Sequence, residues 1–221
     1  MKLSKRTLEL LKNYATINPS IFIPEGTLLQ TIAIGQHIVS YAEADETFPV
    51  DFAIYDLFEF LKVIELFDDP ELEFEETCVN ISDNNSSCVY VYAEKNIIEY
   101  PKNKINFPKS DVTFTLSKDQ LDKLLKAANT LNLPYLCVTK EDNNLIVKVV
   151  DPKNPSSNNY SLVVGEDTST SKFEFYMNHA YLKLVKADYE VNISKKNICM
   201  FTTSDGVEYY LALEKNSNYT E

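Results

Sequence analysis

The chain has 221 residues, enough for one large domain or two of about 110 that each bury a core. Apolar residues make up 44% of it, ordinary for a globular protein, and its longest apolar runs fall far short of the roughly 20 residues that span a bilayer. A formal net charge of −12 argues at first sight against a nucleic-acid partner.

The first element, LSKRTLELLKNYATI at 3–17, reads as an amphipathic helix with Leu8, Leu11 and Ala15 on its apolar side. Lys5 and Lys12, seven residues apart, lie almost in line on the polar side, with Lys2 and Arg6 beside them. The start lacks the uninterrupted apolar core of a signal peptide. Residues 20–23 and 27–34 read as strands around a Pro24-Glu25-Gly26 turn, followed by a short strand at 38–44. A strand at 51–55 runs into Asp56, a natural N-cap, and LFEFLKVIELF at 57–67 reads as a second, mostly apolar helix. Strands follow at 71–76, 78–82 and 88–93, the last two separated by an Asp83-Asn84-Asn85 turn.

The acidity belongs to this part of the chain. Between residues 41 and 76 there are 13 acids and one base, Lys62. The 33 acids less those 13, and the 21 bases less that one, leave 20 of each elsewhere. The Debye length is about 8 Å at physiological salt, so acids on a distant surface are expected to leave a cationic face free to act. A carboxylate crowd at 68–76 reads as a solvated turn and edge strand, because no DxDxDG loop organises it for a cation.

PKNKINFPKS at 101–110 reads as an extended connector in which Ile105 and Phe107 are the apolar exceptions. A helix over 116–131 follows, with Ser117 as N-cap. Its apolar side gathers Leu121, Leu124, Leu125, Ala127, Ala128 and Leu131, and Lys118, Lys123 and Lys126 lie on the other. Strands are expected at 135–140 and 145–150, a loop at 151–159, and strands at 160–164 and 172–177. The last of these leads into a short helix from Asn178 through Val185, then strands at 189–194, 197–203 and 208–214.

The second half thus retraces the first. At a constant offset of 113, Leu121, Leu124 and Ala128 answer Leu8, Leu11 and Ala15. This divides the chain into a domain at 1–100, a connector at 101–110 and a domain at 111–221, in an α+β class with antiparallel sheets covered on one face.

Little here is built for catalysis. Four scattered glycines make neither a P-loop nor a dinucleotide fingerprint. The two histidines are far apart, and the four cysteines form no CxxC, so neither metal nor cofactor is expected. Without a secretory signal the cysteines read as free, mostly buried thiols of a reducing cytoplasm. The cationic faces of the two corresponding helices are the candidate site, suited to a lattice of phosphates rather than one small ligand.

MKLSK at 1–5, NYATIN at 13–18, YAEA at 41–44, FAIYDL at 52–57, INFP at 105–108, YSLVVGED at 160–167 and YYLALE at 209–214 resemble the sliding clamp of T-even-like bacteriophages, the polymerase processivity factor. The resemblance implies two similar DNA-clamp domains per subunit in a head-to-tail homotrimeric ring, with helices lining the hole and antiparallel sheets outside. Lys5, Arg6 and Lys12 match the inner helix of the first domain, and Lys118, Lys123 and Lys126 its counterpart in the second. Lys183 and Lys186 are expected on the shorter helix there. It further implies duplex DNA, the replicative DNA polymerase, an ATP-dependent clamp loader and late-transcription factors as partners in the cytoplasm of an infected bacterium, with no membrane role. Partner tails are placed near Ile105 and Phe107. The alternative is an acidic phage DNA mimic that binds a DNA-binding protein through residues 41–76.

Overall fold

The computed structural model describes every residue except Pro155, so that part of the expected 151–159 loop lies outside the described residues. The first helix, α1 (Lys5–Ile17), begins at Ser4, whose side chain accepts from the Thr7 N–H at 3.1 Å. Leu10, Leu11, Tyr14, Ala15 and Ile17 are buried, whereas Leu8 is only half-buried. The apolar stripe is therefore wider than the expected Leu8, Leu11, Ala15 line. The cause is a second neighbour: α1 packs on a strand and also on another helix.

After α1 come β1 (Ile21–Ile23), β2 (Gly26–Ile32), β3 (Ile38–Phe48), β4 (Phe52–Ile54), α2 (Leu57–Ile64), β5 (Glu71–Phe74), β6 (Cys78–Ser82) and β7 (Ser87–Val91). The pairings are antiparallel: β1 with β4, β2 with β3, and β5 with β6 with β7. The strands at 20–23 and 27–34 flank a turn but do not pair in register with each other; β1 takes β4 and β2 takes β3. In β6, buried Val79 and Ile81 alternate with half-buried Cys78, Asn80 and Ser82, the period-2 signature of a sheet covered on one side. Tyr14 lies on the buried face of α1, its hydroxyl accepting from Ser40 Oγ of β3 at 2.9 Å.

The second set comprises β8 (Val112–Leu116), α3 (Lys118–Leu131), β9 (Tyr135–Glu141), β10 (Asn144–Val150), β11 (Tyr160–Glu166), β12 (Lys172–Asn178), β13 (Tyr189–Ser194), β14 (Ile198–Thr202), β15 (Glu208–Ala212) and β16 (Asn218–Thr220). One sheet runs β11-β10-β9-β12-β16, and β8-β13-β14-β15 pair in that order. Leu121, Leu124 and Ala128 of α3 are buried, and α3 lies on β9, β10 and β11.

The chain divides into two compact units, Met1–Lys104 and Ile105–Glu221. The 113-residue offset holds for both helices and both caps, since Ser4 and Lys5 answer Ser117 and Lys118. It reaches further. Phe114 of β8 lies opposite Val191 of β13, and residue 1, its counterpart, exchanges two backbone bonds with Leu72 of β5 at 2.6 and 2.8 Å. The first unit thus keeps a one-residue remnant of the strand that precedes α3 in the second.

The short helix expected from Asn178 through Val185 is instead a single 3-10 turn, His179–Tyr181. Asn178 does cap it, accepting from the Ala180 N–H at 3.0 Å. Beyond it tyrosine hydroxyls take the backbone groups a helix would use. The Val185 N–H donates to Tyr209 at 3.3 Å, and the Val185 carbonyl accepts from Tyr189 at 2.5 Å.

Candidate nucleic-acid interface

The two cationic helices reach the same capped start by different means. In α3 a capping box closes on itself: the Gln120 N–H donates to Ser117 Oγ at 3.2 Å, and the Ser117 N–H to Gln120 Oε1 at 2.9 Å. The corresponding residue in α1 is Thr7, whose side chain is too short to reach back. Glu46 of β3 replaces it, accepting from the Ser4 N–H and, at 2.6 Å, from the Thr7 hydroxyl. A carboxylate also suits the positive end of the helix.

Lys5, Lys12, Lys118, Lys123 and Lys126 are exposed, and Arg6 is half-buried. Their surroundings differ sharply between the helices. Lys12 pairs with Glu65 at 2.6 Å, Arg6 with Asp45 at 3.2 Å and with the Glu43 carbonyl at 2.7 Å, and Lys2 with Asp69. The Asp69 contact holds the Lys2 ammonium above the ordinary lysine range. Lys5 faces Glu9 one turn on, at 3.8 Å. By contrast Lys118, Lys123 and Lys126 make no ion pair among the described residues.

This overturns one expectation from sequence, that the acids of residues 41–76 occupy a surface remote from the cationic faces and screened from them. Instead Asp45, Glu46, Glu65 and Asp69 touch α1 or the residues just before it. The linear count conceals this because the strand–helix–strand path through 41–76 folds back along α1.

Lys183 and Lys186 are exposed as expected, but on the irregular segment after the 3-10 turn rather than on a helix. Ile105 and Phe107 are half-buried, and the Phe107 ring packs against Tyr210, ring centroids 6.3 Å apart. Sequence reasoning missed the carboxylates that hold the α1 cations. Of these only Glu46 left a legible signal, because a helix opening on Ser4 without Glu or Gln at Thr7 leaves one N–H for another element to satisfy.

The model of the DNA polymerase processivity factor family matches residues 2–102, and that of the gp45 sliding clamp C-terminal region matches 113–215. The sliding clamp of Vibrio phage KVP40 is 33% identical over 97% of this chain and 99% of its own length. That of Enterobacteria phage T4 is 29% identical over 99% of both. The chain belongs to the gp45 sliding-clamp family. Proliferating cell nuclear antigen from Thermococcus kodakaraensis shares the fold at a TM-score of 0.70 and 17% identity, covering 95% of this chain and 96% of that one. The Helicobacter pylori beta clamp, solved with a DNA ligase peptide, gives 0.71 at 14% identity; this chain matches it over 97% of its own length and 65% of the beta clamp's.

As a sliding clamp the protein is a DNA polymerase processivity factor and a scaffold rather than an enzyme. Family membership sets aside the DNA-mimic alternative, and the acids of residues 41–76 need another explanation. Among the described residues no helix is long and apolar enough to cross a membrane.

Proposed function

We propose that three copies of the chain close head-to-tail around duplex DNA, residues 1–100 and 111–221 each serving as a clamp domain, with α1 and α3 turned to the phosphates. Lys5, Arg6, Lys12, Lys118, Lys123, Lys126, Lys183 and Lys186 are the proposed contacts. The observation that carries this reading is the repeat. Two helices with the same offset, the same serine cap and the same buried face present their cations on the opposite side. A ring holds DNA by topology, so these contacts stay weak and blind to sequence, which lets the clamp slide. Tethering the replicative polymerase raises its effective concentration at the primer end without adding chemistry.

Edge strands supply the joints of such a ring. Within their sheets β7 pairs only with β6 and β11 only with β10 among the described residues, and Val89, Val91 and Val163 are exposed on them. Sedimentation should give a mass of three times 25.3 kDa. We assign loading to an ATP-dependent clamp loader, and the Ile105–Phe107 region to the tails of polymerase and late-transcription factors, all in the cytoplasm of an infected bacterium.

The test is charge reversal of Lys5, Lys12, Lys118 and Lys126 to Glu. These exposed side chains contribute little to stability, so folding and mass should hold. Processive synthesis with polymerase, loader and ATP should fall sharply, and further as salt rises. A folded trimeric variant with full processivity at moderate salt would remove α1 and α3 from the DNA channel.

A further inference from the structure

We propose that the two units grip DNA unequally: α3 makes the working phosphate contacts, while carboxylates of residues 41–76 hold the α1 cations as internal stand-ins for phosphate. This rests on the reading that both helices face the duplex. Charge on the helices alone ranks them the other way. Lys5, Arg6 and Lys12 against Glu9 give α1 the larger surplus, and Lys118, Lys123 and Lys126 against Asp119 and Asp122 give α3 the smaller. The neighbours reverse the ranking.

Around α1, Asp69 takes Lys2, Asp45 takes Arg6 and Glu65 takes Lys12. In the second unit, the segment between the corresponding strands carries Lys183 and Lys186 where the first carries five acids, Asp56, Glu59, Glu65, Asp68 and Asp69, and one base, Lys62. Its one acid, Asp188, accepts from the Lys118 backbone N–H at 2.7 Å and so is occupied with the start of α3. Asp119 and Asp122 stand one turn before Lys123 and Lys126 but form no ion pair with them.

The physical consequence is specific. A lysine with no partner in the protein displaces the cation condensed on the phosphate it meets, and that release makes binding salt-dependent. A lysine already held by a carboxylate must give that partner up, and the freed carboxylate stays beside the DNA and recruits a cation. Little net ion release follows, and the contact is weakened. Exposed pairs of this kind shift such a balance only several-fold each. That size suits a ring that must slide, because it trims the grip without abolishing it. The acidic block is then a brake on DNA affinity built around one helix.

Binding of a fluorescently labelled linear duplex, which a ring can thread from its ends, tests this across a range of KCl concentrations. Lys123→Gln with Lys126→Gln should weaken binding several-fold and lower the slope of log K against log salt by about 0.9 for each phosphate no longer neutralised. Lys2→Gln with Lys12→Gln should change affinity less than twofold and leave the slope alone. Asp69→Asn with Glu65→Gln should tighten binding several-fold and steepen the slope, and that gain should vanish when Lys2 and Lys12 are also glutamine.

A gain that persists without the two lysines would mean the acids act by general repulsion and would overturn the proposal. So would an equal loss from the Lys2 and Lys12 pair and the Lys123 and Lys126 pair. No effect of any lysine substitution would instead overturn the placement of both helices against DNA.

Discussion

At the residue scale, a single carboxylate decides how α1 begins. Glu46 accepts from the Ser4 N–H, whose counterpart in α3 donates to Gln120, and from the Thr7 hydroxyl, reaching both from a strand rather than from within the helix. Glu46→Ala should therefore destabilise the protein by about 1 kcal/mol in urea unfolding, and Glu46→Gln, which keeps an acceptor oxygen, by clearly less. Equal stability of the alanine variant and the parent would show that solvent serves these groups as well.

The cysteines give a second check. All four are free: Cys137 and Cys199 are buried, and Cys78 and Cys88 are half-buried. Burial pushes the Cys137 thiol up to about 12 and raises Cys199 as well. At pH 8 both stay protonated, and only the thiolate reacts. An aromatic disulfide reagent should modify Cys88 first and leave Cys137 and Cys199 intact until denaturant is added. Rapid modification of all four in the native protein would contradict the buried assignments. Free thiols were legible from spacing, whereas which two are buried depends on strand faces that spacing does not reveal.

At the scale of elements, periodicity found what local pattern determines. Both long helices lie where their apolar spacing puts them, because Ser4 and Ser117 mark the starts and the buried faces repeat. It missed β8 and β16. Val112, Phe114 and Leu116 alternate with threonines in a clean strand pattern, but they run straight into Ser117 and are overshadowed by the helix. The three residues of β16 are too few to carry a pattern, and they pair only because β12 offers an edge. The 178–185 helix failed for the opposite reason: a good cap at Asn178 is overridden by the Tyr189 and Tyr209 hydroxyls, a tertiary effect.

The corresponding leucines of α1 and α3, Leu11 and Leu124, are both fully buried. Truncating either to alanine should cost about 2–5 kcal/mol, less where the neighbouring side chains collapse into the space. Urea midpoints of the two variants measure this, and a loss below about 1 kcal/mol in both would mean that the helices are not the lids of their cores.

At the scale of the molecule, two similar units and a net charge of −12 were both legible, but their relation was not. Counting along the chain puts the acids in a block apart from the cations. Folding brings Asp45, Glu65 and Asp69 onto the cations themselves. Screening between distant surfaces therefore does not explain how so acidic a clamp tolerates DNA. Topology does, since a closed ring needs no strong attraction to stay on. The most direct measurement loads the clamp onto closed circular duplex with loader and ATP, isolates the complex, and cuts the circle once with a restriction enzyme. Retention on the circle should survive salt that defeats ordinary phosphate binding, and most of the clamp should leave once a free end exists. Equal retention on circular and linear DNA would contradict encirclement.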